Sequence, residues 1–476
     1  MVVVDAPVAS SREAAVRLRR LAFVCCAGIV IWAAPRPDAV DPRAWRLLAI
    51  FVATVVGVIL KPLPMGAVAV VGIAAALATR TLTIVEALSG FANGTVWLVV
   101  SAFFLAASFI RTGLGARIAY ALVRAFGHST LGLGYSLVAA DLMLAPFVPS
   151  NTGRAGGVIF PILQSLTRVK SASPVDARAR AFLTLTAYNG TAITSAMFIT
   201  GMVGNPLIVQ LAADQGVSIT WSQWALAAAV PGVVSLIVVP MLIYGLCASA
   251  SAAGGAPRLA ADALAQLGPV KTGERIIAGI AVVLLAAWIA GPSIGIDTTA
   301  AALVAVAMLL VTGVLRWDDL AGDREAWNTF VWFACLFTMA TYLGQLGLIA
   351  WFTDEVRSLF GGVGWTTGFA GLVIVYFYSH YFFASNTAHV SAMYAPFLVV
   401  ALALGTPPLL AALALGFSSS LFSGLTHYGT GPAPIFFGSG HVPLGMWWRV
   451  GAIVSVVNIA IWIGVGAGWW RVLGLW

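Results

Sequence analysis

Two Ser-Asn-Thr tripeptides, Ser150-Asn151-Thr152 and Ser385-Asn386-Thr387, lie inside otherwise apolar stretches. Short hydroxyl and amide side chains favour helix N-termini. A chain that turns at such a tripeptide aims backbone N–H groups, hydroxyls and the positive end of a helix at one spot, which suits a carboxylate. A single copy reads as an ordinary helix cap; two copies at matched positions read as paired anion-binding tips. Four residues after each serine stand Arg154 and His389. Ionisable groups at membrane depth are costly and usually functional. Arg154 is always charged and His389 can titrate near neutral pH, so the pair is expected to suit a substrate with two carboxylates. The plain alternatives are a snorkelling arginine and a neutral packed histidine. Two later stretches, Thr200 to Pro206 and Thr426 to Pro432, carry Gly and Pro within apolar surroundings. They read as unwound helix midpoints whose freed backbone groups meet ligand, with Gly204, Asn205, Thr430 and Gly431 as candidate binding residues. A simple kink is the alternative.

The elements that position these residues follow from composition. Of 476 residues, 61% are hydrophobic and 9% charged, far below the quarter or so of a soluble domain. Apolar stretches of spanning length recur, so the lipid bilayer is the expected solvent. Helices are expected near 21–34, 47–60, 65–79, 96–110, 181–199, 224–247, 276–291, 298–315, 327–345, 408–425 and 447–468. The apolar regions 130–167 and 363–404, interrupted by the tripeptides, read as re-entrant hairpins. The expected fold is an all-α polytopic membrane protein with about eleven spans and two hairpins. The basic run Arg12, Arg17, Arg19 and Arg20 before Leu21–Ala34 resembles a signal peptide, but no convincing cleavage site follows and it reads as a retained first helix. Cys25, Cys26, Cys247 and Cys335 lie in apolar segments without ligand spacing and read as small core residues.

Charge tests the layout. The net charge of +8 does not gather into a soluble basic face, which argues against nucleic acid. Of 25 Lys and Arg residues, Arg36, Arg43, Arg46, Arg80, Arg357 and Arg471 fall on the predicted outer side and Arg154 within the first hairpin; the rest fall inside. That bias places the N-terminus in the cytoplasm. The chain also repeats. Asn93 and Trp97 answer to Asn328 and Trp332, Ser150-Asn151-Thr152 to Ser385-Asn386-Thr387, and Pro161 to Pro396, each at an offset of 235. The expected organisation is an N-terminal segment and first helix (1–45), a first repeat (46–247), a cytoplasmic linker (248–275) and a second repeat (276–476). With the first hairpin inside and the second outside, the repeats are inverted, the pattern of secondary transporters.

Nearly the whole chain resembles the divalent anion:sodium symporter family, whose signature is the duplicated Ser-Asn-Thr motif in hairpins. The stretches LGLGYSLVAADLMLAPFVPSNTGRAGGVIFPI, HYFFASNTAHVSAMYAPF and LFSGLTHYGTGPAPIFFGSG are similar to its exchanger branch of bacterial citrate/succinate and tartrate/succinate antiporters and plastidic 2-oxoglutarate/malate translocators. The resemblance implies a homodimer in a bacterial inner membrane, with a fixed scaffold and a transport domain that moves as an elevator. Sodium-coupled members carry a serine and a threonine four residues before the two tip serines; here these positions are Pro146 and Tyr381. That points to sodium-independent antiport of small di- or tricarboxylates (succinate, malate, 2-oxoglutarate, tartrate or citrate), with a sodium- or proton-coupled symporter as the alternative. No HExxH, GxSxG or P-loop lysine motif is present, so an enzyme is not expected, and neither a cofactor nor a metal site is read.

Overall fold

The computed structural model describes residues 11–167, 177–247, 255–360 and 364–476, and every regular element in them is helical. Residues 1–10, residues 168–176 with Arg168 and Lys170, the first part of the predicted linker (248–254) and 361–363 lie outside the described residues. The principal helices are α1 (Ser11–Ala33), α2 (Pro42–Leu60), α3 (Met65–Ala78), α4 (Gly94–Thr112), α5 (Leu114–Phe126), α6 (Thr130–Leu144), α7 (Ala177–Met197) and α8 (Trp221–Cys247). They continue with α9 (Ala256–Leu267), α10 (Thr272–Ala290), α11 (Thr298–Val311), α12 (Arg324–Gln345), α13 (Leu348–Phe360), α14 (Trp365–Tyr378), α15 (Pro408–Leu421) and α16 (Leu444–Ala460).

Among the described residues, seven helices are long and apolar enough to cross a bilayer: α2, α4, α8, α10, Asn386–Ala403, Pro408–Leu425 and Leu444–Val472. The pair α12 and α13, bent by 64°, makes an eighth if taken as one span. The difference from eleven has local causes. The α3 and α11 helices have only 14 residues, α1 carries Arg17, Arg19 and Arg20, and α7 is rich in Thr, Ser and Asn. The α1 helix also starts ten residues earlier than the apolar run suggests. Two helices escape a search for apolar runs because they are amphipathic: α5, whose buried Gly115, Ala119 and Val123 recur every four residues while Arg117 and Arg124 lie off that row, and α13. The described part of the linker is not a loose connector: α9 is a helix that packs against α5. Arg117 pins its end, donating to both Glu274 carboxylate oxygens (3.1 Å each) and to the Gly268 carbonyl (3.0 Å). Cys247 and Cys335 are buried as expected, whereas Cys25 and Cys26 are exposed on α1 and are not core residues.

The chain forms two compact units, one of residues 1–96 with 327–355 and the other of 97–326 with 356–476. In the first, α2 starts on an Asp41 cap followed by Pro42, whose missing N–H costs nothing at that position. The α2 and α3 helices approach so closely that a Cβ on Gly72 would lie 2.3 Å from Thr54 Oγ1. At its edge Thr83 and Glu86 form a capping box, and Arg43 pairs with Glu86 at 2.8 Å. The Thr83 backbone N–H, ahead of Arg43, holds the Glu86 carboxyl below its usual range despite an opposing contribution from desolvation.

The second unit holds both predicted hairpins and both predicted breaks. Its centre is α7 and α15, buried along nearly their whole length. The buried polar groups of α7 include Thr184, Thr186, Asn189, Thr191, Thr194 and Ser195. Facing lipid they would lack partners, so the sequence of α7 forces it inside. Around this pair run α6, α8, α14 and α16. Pro231 and Pro240 sit within α8, tolerated because neighbouring groups can satisfy the freed carbonyls.

Candidate functional site

Each hairpin is a helix, a non-helical turn and a second helical arm that begins at the tripeptide. In the first, α6 ends at Leu144, Ser150 caps the new helix, and the arm runs Asn151–Arg154, a π-helical turn Ala155–Ile159, then Phe160–Thr167. In the second, α14 passes into a 3-10 turn Ser379–Phe382, Ser385 caps, and the arm runs Asn386–His389, a π-helical turn Val390–Tyr394, then Ala395–Ala403. The π turns fall at the same offset of 235 as the tripeptides. Ser150 Oγ accepts from the Gly153 N–H (2.9 Å) and Ser385 Oγ from the Ala388 N–H (3.4 Å), which is the capping role their residue type predicts.

The breaks are equally regular. Helix α7 ends at Met197, a 3-10 turn Ile199–Gly201 follows, and Gly204–Ala213 starts a new helix. Helix α15 runs into the 3-10 turn Phe422–Leu425, then non-helical residues, then Pro432–Phe437. Side chains satisfy the carbonyls that each break frees. Trp224 Nε1 donates to the Ala196 carbonyl (2.8 Å), and the buried Tyr188 hydroxyl donates to the carbonyls of Ser423 and, at 3.2 Å, Thr426.

The tips meet the breaks. Asn151 Nδ2 donates to Thr430 Oγ1 (3.4 Å). Thr152 lies so close to Gly431 that a Cβ there would stand 2.0 Å from its hydroxyl. Asn386 Nδ2 donates to Ser423 Oγ (2.6 Å) and touches Met202 Sδ (3.2 Å) in the other break. A Cβ on Gly204 would meet Val390, just beyond the second tip, at 3.6 Å. Asn151, Thr152, Ser385 and Thr387 stay half-buried and Gly431 exposed, while Ser150, Asn386 and Thr430 are buried.

Three predicted site residues are held by partners within the chain. Arg154 is fully buried and paired: Nε donates to Asp141 Oδ1 (3.1 Å), one terminal nitrogen to the Val148 and Gly201 carbonyls (2.6 Å each), and the other to Ser195 Oγ (2.8 Å). Thr194 donates to the second Asp141 oxygen. Arg154 is neither snorkelling nor an uncompensated cation, because Asp141 balances its charge; it ties the first tip to α6, α7 and the first break. His389 is fully buried too, in a cage of Tyr376 (ring centroids 4.7 Å), Phe383 (4.6 Å) and Phe422 (4.5 Å), with Nε2 at 3.0 Å from Ser379 Oγ. Among the described residues no acidic side chain pairs with it. Asn205 caps the end of α7, donating to the Ser195 (2.7 Å) and Phe198 (2.8 Å) carbonyls, and so holds the break.

Sequence reasoning missed Asp141 and His380. His380 Nε2 lies 3.0 Å from the Gly429 carbonyl and stacks on Phe422 at 3.9 Å, joining the second hairpin to the second break. Its place five residues before Ser385 is the one signal available. At the two positions four residues before the tip serines, Pro146 offers only its carbonyl, which accepts from Thr200 Oγ1 (2.6 Å). The Tyr381 ring stacks on Trp448 (5.7 Å) and its carbonyl accepts from the Tyr428 hydroxyl (2.9 Å). No cluster of His, Cys, Asp and Glu suited to a metal occurs among the described residues.

Two capped, broken helices converging on two interrupted hairpins within an apolar helical body define a multi-pass membrane transporter. The sequence profile described as "Sodium:sulfate symporter transmembrane region" matches residues 15–476. YflS of Bacillus subtilis is 49% identical over 472 residues, covering 98% of this chain and 99% of that protein. "Dicarboxylate transporter 1, chloroplastic" of Spinacia oleracea is 47% identical over 456 residues, covering 94% and 80%. The crystal structure of the Alcanivorax borkumensis YdaH transporter shares the fold, with a TM-score of 0.56 at 14% identity over 96% of this chain and 98% of that one. The chain therefore belongs to the divalent anion:sodium symporter family, and it is a transporter rather than an enzyme.

Proposed function

We propose that this protein exchanges small organic dicarboxylates, or tricarboxylates of similar size, across a bacterial inner membrane without sodium. One carboxylate binds at the Ser150-Asn151-Thr152 tip and the other at Ser385-Asn386-Thr387, with Gly204, Thr430 and Gly431 lining the breaks. The reading is carried by the crossing of tips and breaks: Asn151 reaches Thr430 while Asn386 touches Met202. The chemistry is short, neutral donors at helix starts, which favour carboxylates over cations. Two relatives support the substrate class: the spinach protein is described as a dicarboxylate transporter, and the description of YflS names malate.

The Arg154 guanidinium supports sodium independence. Its terminal nitrogen takes up the Val148 and Gly201 carbonyls beside Pro146, a position without a side-chain oxygen for an ion. The first tip is then held by the internal Arg154–Asp141 pair, and a transport domain moves as an elevator against a fixed scaffold within a homodimer whose N-termini are cytoplasmic. The test is counterflow in proteoliposomes. Uptake of labelled dicarboxylate is expected to require internal dicarboxylate and to proceed equally in sodium and choline buffers of one ionic strength. Saturable sodium dependence, or uptake into empty vesicles, would establish a coupled symporter instead.

A further inference from the structure

Ser150 does more than cap its helix. Its oxygen accepts from the Gly153 N–H, and its hydroxyl donates to Glu325 Oε1 at 3.1 Å. Ser150 is only 5% exposed. Glu325 is an exposed residue in the first turn of α12. Among the described residues its carboxylate forms no salt bridge, and Ser150 is its hydrogen-bond partner. A carboxylate of the chain itself therefore sits on the hydroxyl that the first tip would offer to a substrate carboxylate. Among the described residues the second tip has no such occupant. The residue 235 positions before Glu325 is Gly90, and among the described residues the Ser385 hydroxyl oxygen accepts only the N–H that it caps.

We propose that Glu325 is a built-in competitor for the first tip. When no substrate is present its carboxylate holds the Ser150 hydroxyl, and an incoming carboxylate must displace it. The inference rests on the reading of the Ser-Asn-Thr tips as the substrate site. Glu325 suits the role because, among the described residues, no second partner holds its carboxylate, so one displaced hydrogen bond frees it. An apparent affinity falls in proportion to the fraction of protein whose site is free. A tip open about a tenth of the time thus raises the apparent KM about tenfold. The contact also explains how a neutral tip remains satisfied between substrates, since the buried Ser150 hydroxyl would otherwise lack an acceptor.

A simpler role exists: an acid in the first turn favours its own helix through the macrodipole. A repulsive field on dianions, without contact, is a second rival. Three proteins separate them: wild type, Glu325→Gln and Glu325→Asp, each compared for succinate counterflow KM and for melting temperature in detergent. The aspartate keeps the charge but is one methylene short of Ser150. Displacement of a competitor predicts that both variants lower the apparent KM by about three- to tenfold. If Glu325→Gln lowers KM and Glu325→Asp does not, the field alone acts and the proposal is wrong. If neither changes KM while the melting temperature falls, Glu325 serves only its helix and the proposal is again wrong. Absence of counterflow in the wild type overturns the functional reading and this inference with it; normal counterflow with unchanged KM in both variants overturns this inference alone.

Discussion

The first and second hairpins share a tip and differ one turn further in. Both cap with serine, place asparagine at the first helical position and pass through a π turn. The residue four after the serine is then stabilised in opposite ways. Arg154 has its own aspartate, a hydroxyl and two carbonyls; His389 has aromatic faces and one serine. The two hairpins thus share a capped tip and differ in what supports it. An ion pair and an aromatic cage both hold a hairpin arm, but they fail differently.

The largest effect is expected where a charge would lose its partner. Asp141→Asn leaves the Arg154 guanidinium buried without a counterion, which should cost about 3–5 kcal/mol. Melting in detergent should show this, and Asp141→Leu with Arg154→Met should recover most of the loss. His389→Leu should cost much less, about 1 kcal/mol, because it exchanges one packed neutral group for another. Equal melting of Asp141→Asn and wild type would erase the contrast between the hairpins.

At the tips the hairpins should behave alike in transport and unlike in stability. Asn151→Ala and Asn386→Ala should each abolish counterflow. Asn386 is buried with two partners, so its loss should also cost about 1–2 kcal/mol, while the half-buried Asn151 should cost under about 0.5 kcal/mol. Normal exchange by either mutant would remove that tip from the site.

The glycines opposite the tips sharpen the comparison. A Cβ at Gly431 meets the Thr152 hydroxyl at 2.0 Å, whereas a Cβ at Gly204 meets the flexible end of Met202 at 2.8 Å. Gly431→Ala should lower kcat/KM by about tenfold or more, since small displacements of a binding group are costly. Gly204→Ala should stay within about twofold. Initial counterflow rates over a range of substrate decide this, and equal losses would mean that both breaks are equally close-packed.

The smallest effect lies outside both hairpins. Glu86 pairs with Arg43 and caps at Thr83, and its carboxyl is held low. Its contribution is present above the unfolded carboxylate range and is lost as pH falls through its lowered folded value. At a surface site it is worth under about 1 kcal/mol. Glu86→Gln should therefore melt slightly lower than wild type at pH 7, with the two curves converging in acid.

Much of this architecture was legible in the chain before folding. The apolar runs placed most of the long helices, because burial in lipid demands spanning lengths of apolar residues. The 235-residue offset located both tips, and its recurrence in the π turns shows that the repeat reaches the backbone. Serine type and spacing stated the caps correctly. The amphipathic α5 and α13 were hidden, since a search for apolar runs discards helices with one polar face.

What the sequence alone determined is the solvent, the family and the position of the tips, since these depend on composition and local motif. What only the tertiary structure decided is which polar residue serves which partner. Arg154 and Asp141 lie 13 positions apart and look like separate membrane charges in the sequence. Packing brings them together with Ser195 and Gly201, and the desolvation that makes each costly alone makes them bind each other. Likewise His389 reads as a titratable group until the fold surrounds it with rings. An ionisable side chain's role depends on the groups brought against it in three dimensions, and those neighbours come from distant parts of the chain.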